Sequence, residues 1–340
     1  MFSNVFKAAL EKEIAGQAYA VNSVVRGVVR AVSGLVPREG PLCAYMFMGP
    51  TGTGKTHLVH TLARILHGDD RRTVVADCTH FAHGDPWMAF VGQLTPVFTV
   101  PRMENKWSVL DAAPLSIVLI EYLERGPKEV TKALAAALET GQLTLPEGRR
   151  GSLRNCLVFM TTGLCAKEIL DEAPQIGFSG SEEGHDEHED RLEKLFKLGR
   201  TTARETFGTD LMGRLDSLIL FHRLEPEHLD AILDRLNDNL NHWLGGRGLR
   251  CEMRPSAREF LLERGRRELR AGARDLVRAH RRFVEFPVAD LLISGQIPAG
   301  GHVIVDRDTG DDHLHFTVEP RQVDSTSGFP ETGLREIPVS

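Results

Sequence analysis

No stretch of this sequence reaches the roughly 18 uninterrupted apolar residues of a membrane span, so neither a transmembrane helix nor a membrane partner is expected. The first residues lack an apolar core followed by small residues, because Lys7, Glu11, Lys12 and Glu13 break them up, and no signal peptide is visible. Cysteine is scarce. Cys43, Cys78, Cys156, Cys165 and Cys251 are scattered, odd in number and without a CxxC pair, which predicts reduced, mostly buried thiols in a cytoplasmic protein. A basic excess is also missing: 41 Lys+Arg against 47 Asp+Glu leave a formal charge of −6, so no overall charge draws the chain onto nucleic acid or an anionic membrane. There is no internal repeat. What remains is 340 residues, 41% hydrophobic and 26% charged, the balance of a globular chain with one large α/β domain and a smaller one.

Periodicity supplies the elements. Val21, Val24, Val25, Val28, Val29 and Val32 predict an amphipathic helix over 18–32. A buried strand over 43–48 runs into a glycine-rich turn and a helix over 55–66. Strands over 73–76, 116–120 and 156–161 and a helix over 128–139 continue the alternation, which implies a parallel sheet with helices on both faces. Residues 179–190, SGSEEGHDEHED, read as an acidic loop, with metal binding by His185 and His188 as the weaker alternative. Beyond Phe221 the character turns helical, over 227–244, 256–267 and 273–294, and residues 301–320 read as a closing hairpin. The expected division is a large α/β domain over 1–222, a small, mainly helical domain over 223–320 and a frayed tail over 321–340.

One motif carries chemistry outright. Gly49, Pro50, Thr51, Gly52, Thr53, Gly54, Lys55 and Thr56 satisfy the P-loop pattern G-x-x-x-x-G-K-[ST] between a predicted strand and a predicted helix. The glycines let backbone N–H groups close around a β-phosphate, and the helix N-terminus adds partial positive charge. Lys55 is expected to reach the β- and γ-phosphates and the Thr56 hydroxyl to ligate Mg²⁺, which makes ATP the expected ligand.

Further along, the chain resembles an AAA+ module of the ClpA/ClpB chaperone type, specifically the second ATPase domain, from about residue 10 to 318. Glu13-Ile14-Ala15-Gly16-Gln17 is similar to the family's adenine-contacting stretch. Gly141-Gln-Leu-Thr144, Arg154-Asn155 and Met160-Thr161-Thr162 follow its pattern, Phe207–Asp216 resembles the arginine-finger segment, and Gly272-Ala273-Arg274 resembles sensor 2. The resemblance implies a P-loop sheet with a small helical lid, Ile14, Ala15 and Gly49 to His57 around the nucleotide, Arg274 reading it in cis, and Arg214 offered to a neighbouring subunit. It implies one module in a single homo-oligomeric ring, hexameric in this family, acting on a protein client or a regulatory partner.

The catalytic positions depart from that family. Pro114 and Ser116 upstream, with Glu124, Arg125 and Val130 downstream, put Glu121 where the Mg²⁺-holding Asp is expected and Tyr122 where the water-activating Glu is expected. Glu121 still suits Mg²⁺, but a phenol whose ordinary pKa is about 10 is no general base at neutral pH. Gly163 replaces the sensor-1 asparagine. Glu124 is the one nearby substitute, with a solvated carboxylate as its plainer reading. Binding is therefore expected to survive and hydrolysis to be slow, a missing base costing about 10²–10⁴ in rate. Phe98, in Pro96-Val97-Phe98-Thr99-Val100, reads equally as a pore-loop aromatic or a buried hydrophobe. Residues 247–282 carry twelve arginines, no lysine and five acidic residues with one interleaved aromatic, Phe260, so a solvated helical face is expected rather than a nucleic-acid site. Three functions stand open: a remodeller of protein clients, a nucleotide-gated binding protein without hydrolysis, and, with least support, a DNA-handling ATPase.

Overall fold

A computed structural model describes residues 2–33, 39–69, 73–80, 85–99, 115–145, 148, 150–171, 183–267, 272–308 and 310–319. Expectations about Pro114, residues 321–340 and the side chains of Phe98, His185 and His188 lie outside the described residues. In chain order, α1 (Phe2–Glu13) and α2 (Ala18–Val32) precede β1 (Cys43–Met48), α3 (Lys55–His67), β2 (Thr73–Asp77), α4 (Pro86–Thr99) and β3 (Ser116–Glu121). Then come α5 (Lys128–Thr140), β4 (Gln142–Thr144), β5 (Arg150–Ser152), β6 (Cys156–Thr162), α6 (Ala166–Asp171), α7 (Glu183–Gly213) and β7 (Ser217–Leu220). The chain continues with α8 (Pro226–Gly245), β8 (Arg250–Met253), α9 (Pro255–Arg267), α10 (Arg274–His280), α11 (Phe286–Ile293), β9 (His302–Asp306) and β10 (His315–Glu319).

Five parallel strands form the main sheet in the order β2-β3-β6-β1-β7. β1 and β6 are buried along their whole length, the signature of strands covered on both faces. Alternate residues feed two cores. Ala44, Met46, Met48, Val118, Ile120, Val158 and Met160 pack with α4, α5 and α7 residues such as Phe90, Leu134 and Leu211. Cys43, Tyr45, Phe47, Ile117, Leu119, Leu157 and Phe159 pack with Phe6, Val21, Val24, Leu58 and Leu62 from α1–α3. All five cysteines are buried, and burial pushes the thiols of Cys78, Cys156 and Cys251 up to about 12, which keeps them protonated.

By contacts the chain forms two compact units: residues up to Ile232 with Arg264–Leu276, and Leu233–Glu263 with those from Val277 on. The second unit holds the expected hairpin, β9–β10, and adds β8 parallel to β9 in a three-stranded sheet. Its fully buried Phe260 meets Phe283 edge-on, with centroids 5.2 Å apart, and the Asn241 amide clasps the backbone of Cys251.

Three local expectations change. α1 precedes the helix expected to open the chain, because Phe6 and Leu10 bury beneath the valines of α2. The acidic run is helical from Glu183, as the first turns of α7, where a loop was expected; that helix carries a non-helical residue at Gly208, φ 85°. Pro96 and Val97 belong to the last turns of α4, which extends to Thr99, so this segment is no loop.

Candidate nucleotide site

The turn from β1 to α3 requires its glycines: Gly49, Gly52 and Gly54 have φ of 141°, 77° and 104°, where a side chain strains the backbone. Thr53 is buried and its hydroxyl donates to the Pro50 carbonyl at 2.9 Å, bracing the loop from inside. Gly49 N–H donates to the Thr162 carbonyl at 3.3 Å, which ties the loop to β6. The Lys55 ammonium folds back onto the carbonyls of Gly49 and Pro50, at 2.7 and 2.6 Å. Burial lowers Lys55 to about 8; Glu124 opposes that shift, Arg274 adds to it and Glu121 opposes it. Thr51 and His57 are exposed on either side of the turn.

Since β6 lies between β1 and β3, the C-terminal ends of these three strands bring Gly49, Thr162 and Glu121 to one edge of the sheet. Thr56 Oγ1 donates to Glu121 Oε1 at 2.5 Å. A hydroxyl and a carboxylate oxygen at one point are the hard donors that Mg²⁺ takes, so these residues fit that ion. Tyr122 is left-handed, φ 54°, with its N–H on Thr161 Oγ1 at 3.3 Å and the Arg125 guanidinium over its ring at 5.2 Å. Glu124, in the 3₁₀ turn Leu123–Arg125, is not the solvated carboxylate of the plainer reading. Its Oε1 accepts from Gly163 N–H at 3.0 Å, and its Oε2 is shut from solvent without a donor.

The stretch resembling an adenine contact is fixed from far away. The Gln17 amide donates to the His222 carbonyl at 2.8 Å and accepts from the His222 N–H at 3.1 Å, and Gln17 is 2% exposed. The His228 ring lies against Gly16. Ile14 is buried and Ala15 half-buried, and past the end of β7 the Phe221 carbonyl faces the missing side chain of Gly49. At the other side, Ala273 N–H donates to the Gly52 carbonyl at 3.1 Å, and Gly272, φ 66°, has no room for a Cβ against Gly52. That turn starts α10 with Arg274 exposed at its first residue.

Arg214 is not brought to this edge. Its guanidinium pairs with Glu139 of α5 at 2.6 Å; Asp216 takes Arg30 at 2.6 Å and the Ala44 N–H at 2.8 Å. Asp216 N–H donates in turn to the Ala44 carbonyl. Because β7 runs parallel to β1, Arg214 marks the N-terminal edge of the sheet and the P-loop the C-terminal edge. The pairing of Glu124 with Gly163 was missed by sequence reasoning; the combination of a glycine at 163 with a carboxylate three residues past Glu121 was its only signal.

Residues 40–218 match the family described as AAA domain (Cdc48 subfamily), over half the chain. The chain belongs to that AAA family. Residues 224–305 of this AAA chain match the C-terminal, D2-small domain of ClpB protein. The chain is 30% identical over 302 residues to "Negative regulator of genetic competence ClpC/MecB" of Bacillus subtilis (strain 168), covering 89% of this chain and 36% of that relative. It is 29% identical over 299 residues to "ATP-dependent Clp protease ATP-binding subunit ClpC" of Staphylococcus epidermidis, covering 88% and 36%. It thus spans about a third of the length of these relatives. Among solved structures, the closed-state cryo-EM reconstruction of Hsp104 with ATPγS and FITC casein superposes with a TM-score of 0.71 at 20% identity, covering 93% of this chain and 51% of that one, which supports the AAA fold. Membership carries a nucleotide site and places the chain as a Clp-type AAA module. Among the described residues no helix is long and apolar enough to cross a membrane.

Proposed function

We propose that this AAA module binds ATP with Mg²⁺, hydrolyses it slowly, and works in a homo-oligomeric ring that remodels a protein client. Ile14 and Ala15 flank the base, Gly49 to His57 enclose the phosphates, Lys55 swings from its two carbonyls to the γ-phosphate, and Arg274 reads the nucleotide in cis. Thr56 and Glu121 hold Mg²⁺, which when bound offsets phosphate charge. The observation that carries the ring is the separation of Arg214 from its own P-loop by the length of β1: an arginine that stabilises phosphate charge from there serves a neighbour. The client reading takes its support from the Hsp104 reconstruction, which contains a nucleotide and casein, and from ClpC, named as a protease's ATP-binding subunit.

The second reading, a nucleotide-gated binder without turnover, is favoured by Tyr122 and Gly163. A nucleic-acid role finds no support in the arginine-rich stretch, where Arg254, Arg258 and Arg281 pair with Glu252, Asp234 and Glu285. Light scattering with and without a slowly hydrolysed ATP analogue tests the ring, and phosphate release with and without unfolded casein tests the client. A monomer under both conditions removes the ring; turnover indifferent to casein removes the remodeller.

A further inference from the structure

Taking the ATP site of the preceding reading as given, we infer that Glu124 is the catalytic carboxylate of this chain, the group that orients and deprotonates the attacking water in place of the residue lost at Tyr122. Three features place it there. First, Glu124 belongs to the turn that follows β3, and its Oε1 is anchored by the N–H of Gly163 at the end of β6, the strand between Glu121 and the P-loop. Second, Gly163 makes the room. A Cβ at that position would stand 3.2 Å from Oε1, a tight contact that would press the carboxylate aside by a few tenths of an ångström. The missing sensor side chain and the position of Glu124 are two halves of one rearrangement. Third, with Oε1 held, Oε2 is buried without a donor, a placement that costs about 1–3 kcal/mol and is satisfied by a hydroxyl brought to the site.

The neighbours are otherwise engaged. Glu121 is bound to the Thr56 hydroxyl, and Tyr122 is turned to a left-handed backbone with its ring under Arg125. Glu124 is also the first of the carboxylates in sustaining the charge on Lys55, which puts it within the field of the cation meant for the γ-phosphate. In the step itself, Oε2 accepts a proton from water as the water oxygen bonds to the γ-phosphorus. The bond from that phosphorus to the bridging oxygen breaks, ADP leaves with its electron pair, and the proton passes from Glu124 to the phosphate formed. A general base of this kind contributes about 10²–10⁴ in rate.

The test uses the full chain, Glu124→Gln, Glu124→Ala and Gly163→Asn, with phosphate release at saturating Mg-ATP across pH 5.5–9, and nucleotide affinity from a fluorescent ATP analogue. The amide oxygen of Glu124→Gln still accepts from Gly163 N–H, so a merely structural Glu124 predicts wild-type turnover in Gln and loss only in Ala. We expect Gln and Ala alike to lose about 100-fold in kcat with affinity changed less than about threefold. Gly163→Asn, which restores the family's polar residue, should lower kcat about tenfold by displacing the carboxylate. Wild-type kcat in Glu124→Gln, or a rise in Gly163→Asn, overturns the assignment. Wild-type protein that binds ATP and releases no phosphate overturns it too while leaving the ATP site intact; failure to bind nucleotide at all overturns the preceding reading instead.

Discussion

Arg214 and Lys55 stand at opposite ends of neighbouring parallel strands. Lys55 follows the C-terminal end of β1 and Arg214 precedes β7, whose start is bonded to Ala44 near the beginning of β1. Six strand residues at about 3.3 Å each set the two cations about 20 Å apart, beyond the span of an arginine side chain. The ion pair with Glu139 holds the guanidinium at that far edge.

Arg214→Ala should therefore leave nucleotide affinity unchanged and lower turnover, by up to about 10³ if the finger is fully used. Mixing Arg214→Ala subunits with Lys55→Ala subunits should recover part of the activity, since a mixed interface is intact wherever the Arg214→Ala subunit supplies the P-loop and the Lys55→Ala subunit the finger. Phosphate release from the mixture against the separate variants reads this, and no recovery would place Arg214 outside catalysis.

Lys55 gives nucleotide binding a pH signature. The charged form binds phosphate, and burial has brought the free protein's pKa down to about 8. Affinity should be flat below pH 7 and fall as pH rises through about 8, approaching tenfold per pH unit, with a proton taken up on binding near pH 8.5. Calorimetry in two buffers of different ionisation heat measures the uptake; zero uptake would mean that Lys55 is already fully charged. Lys55→Ala should abolish binding.

Gly272→Ala drives a Cβ into the Gly52 backbone and strains a residue at φ 66°. The bond from Ala273 to Gly52 should be lost, and the affinity for ATP should fall at least about tenfold while Tm moves little. An unchanged Kd would show that the sensor-2 turn does not support the P-loop.

Gln17→Ala removes both hydrogen bonds to the His222 backbone at a site 2% exposed. The expected cost is about 1–3 kcal/mol in urea unfolding, with saturating ATP recovering part of it. A loss below about 0.5 kcal/mol would mean that water replaces the amide.

Much of this was legible because it is local. The eight residues from Gly49 to Thr56 name their own turn, and the apolar runs of β1, β3 and β6 announce buried parallel strands. Glu121 and Tyr122 were placed by the family pattern on either side of them, and β3 ends at Glu121. What could not be read was set by contacts across the chain: Glu124 depends on a backbone N–H 39 residues away, and Arg214 took its partner on α5. β8 carries too little alternation to reveal a strand that is completed only by β9. The helix beginning at Glu183 hides behind an acidic composition that resembles a loop.

The clasp between Gln17 and His222 spans 205 residues of sequence. Neither the P-loop turn nor the first two helices can draw that bond shut; it waits until β7 has docked beside β1. A ribosome that has delivered residues 1–200 has thus released a chain with its P-loop turn encoded but the stretch around Gln17 still unfastened. Loop closure over such a distance favours slow, late assembly. If ATP is the ligand, it rewards folding during synthesis only once His222 has emerged, so it acts late in maturation and not at its start.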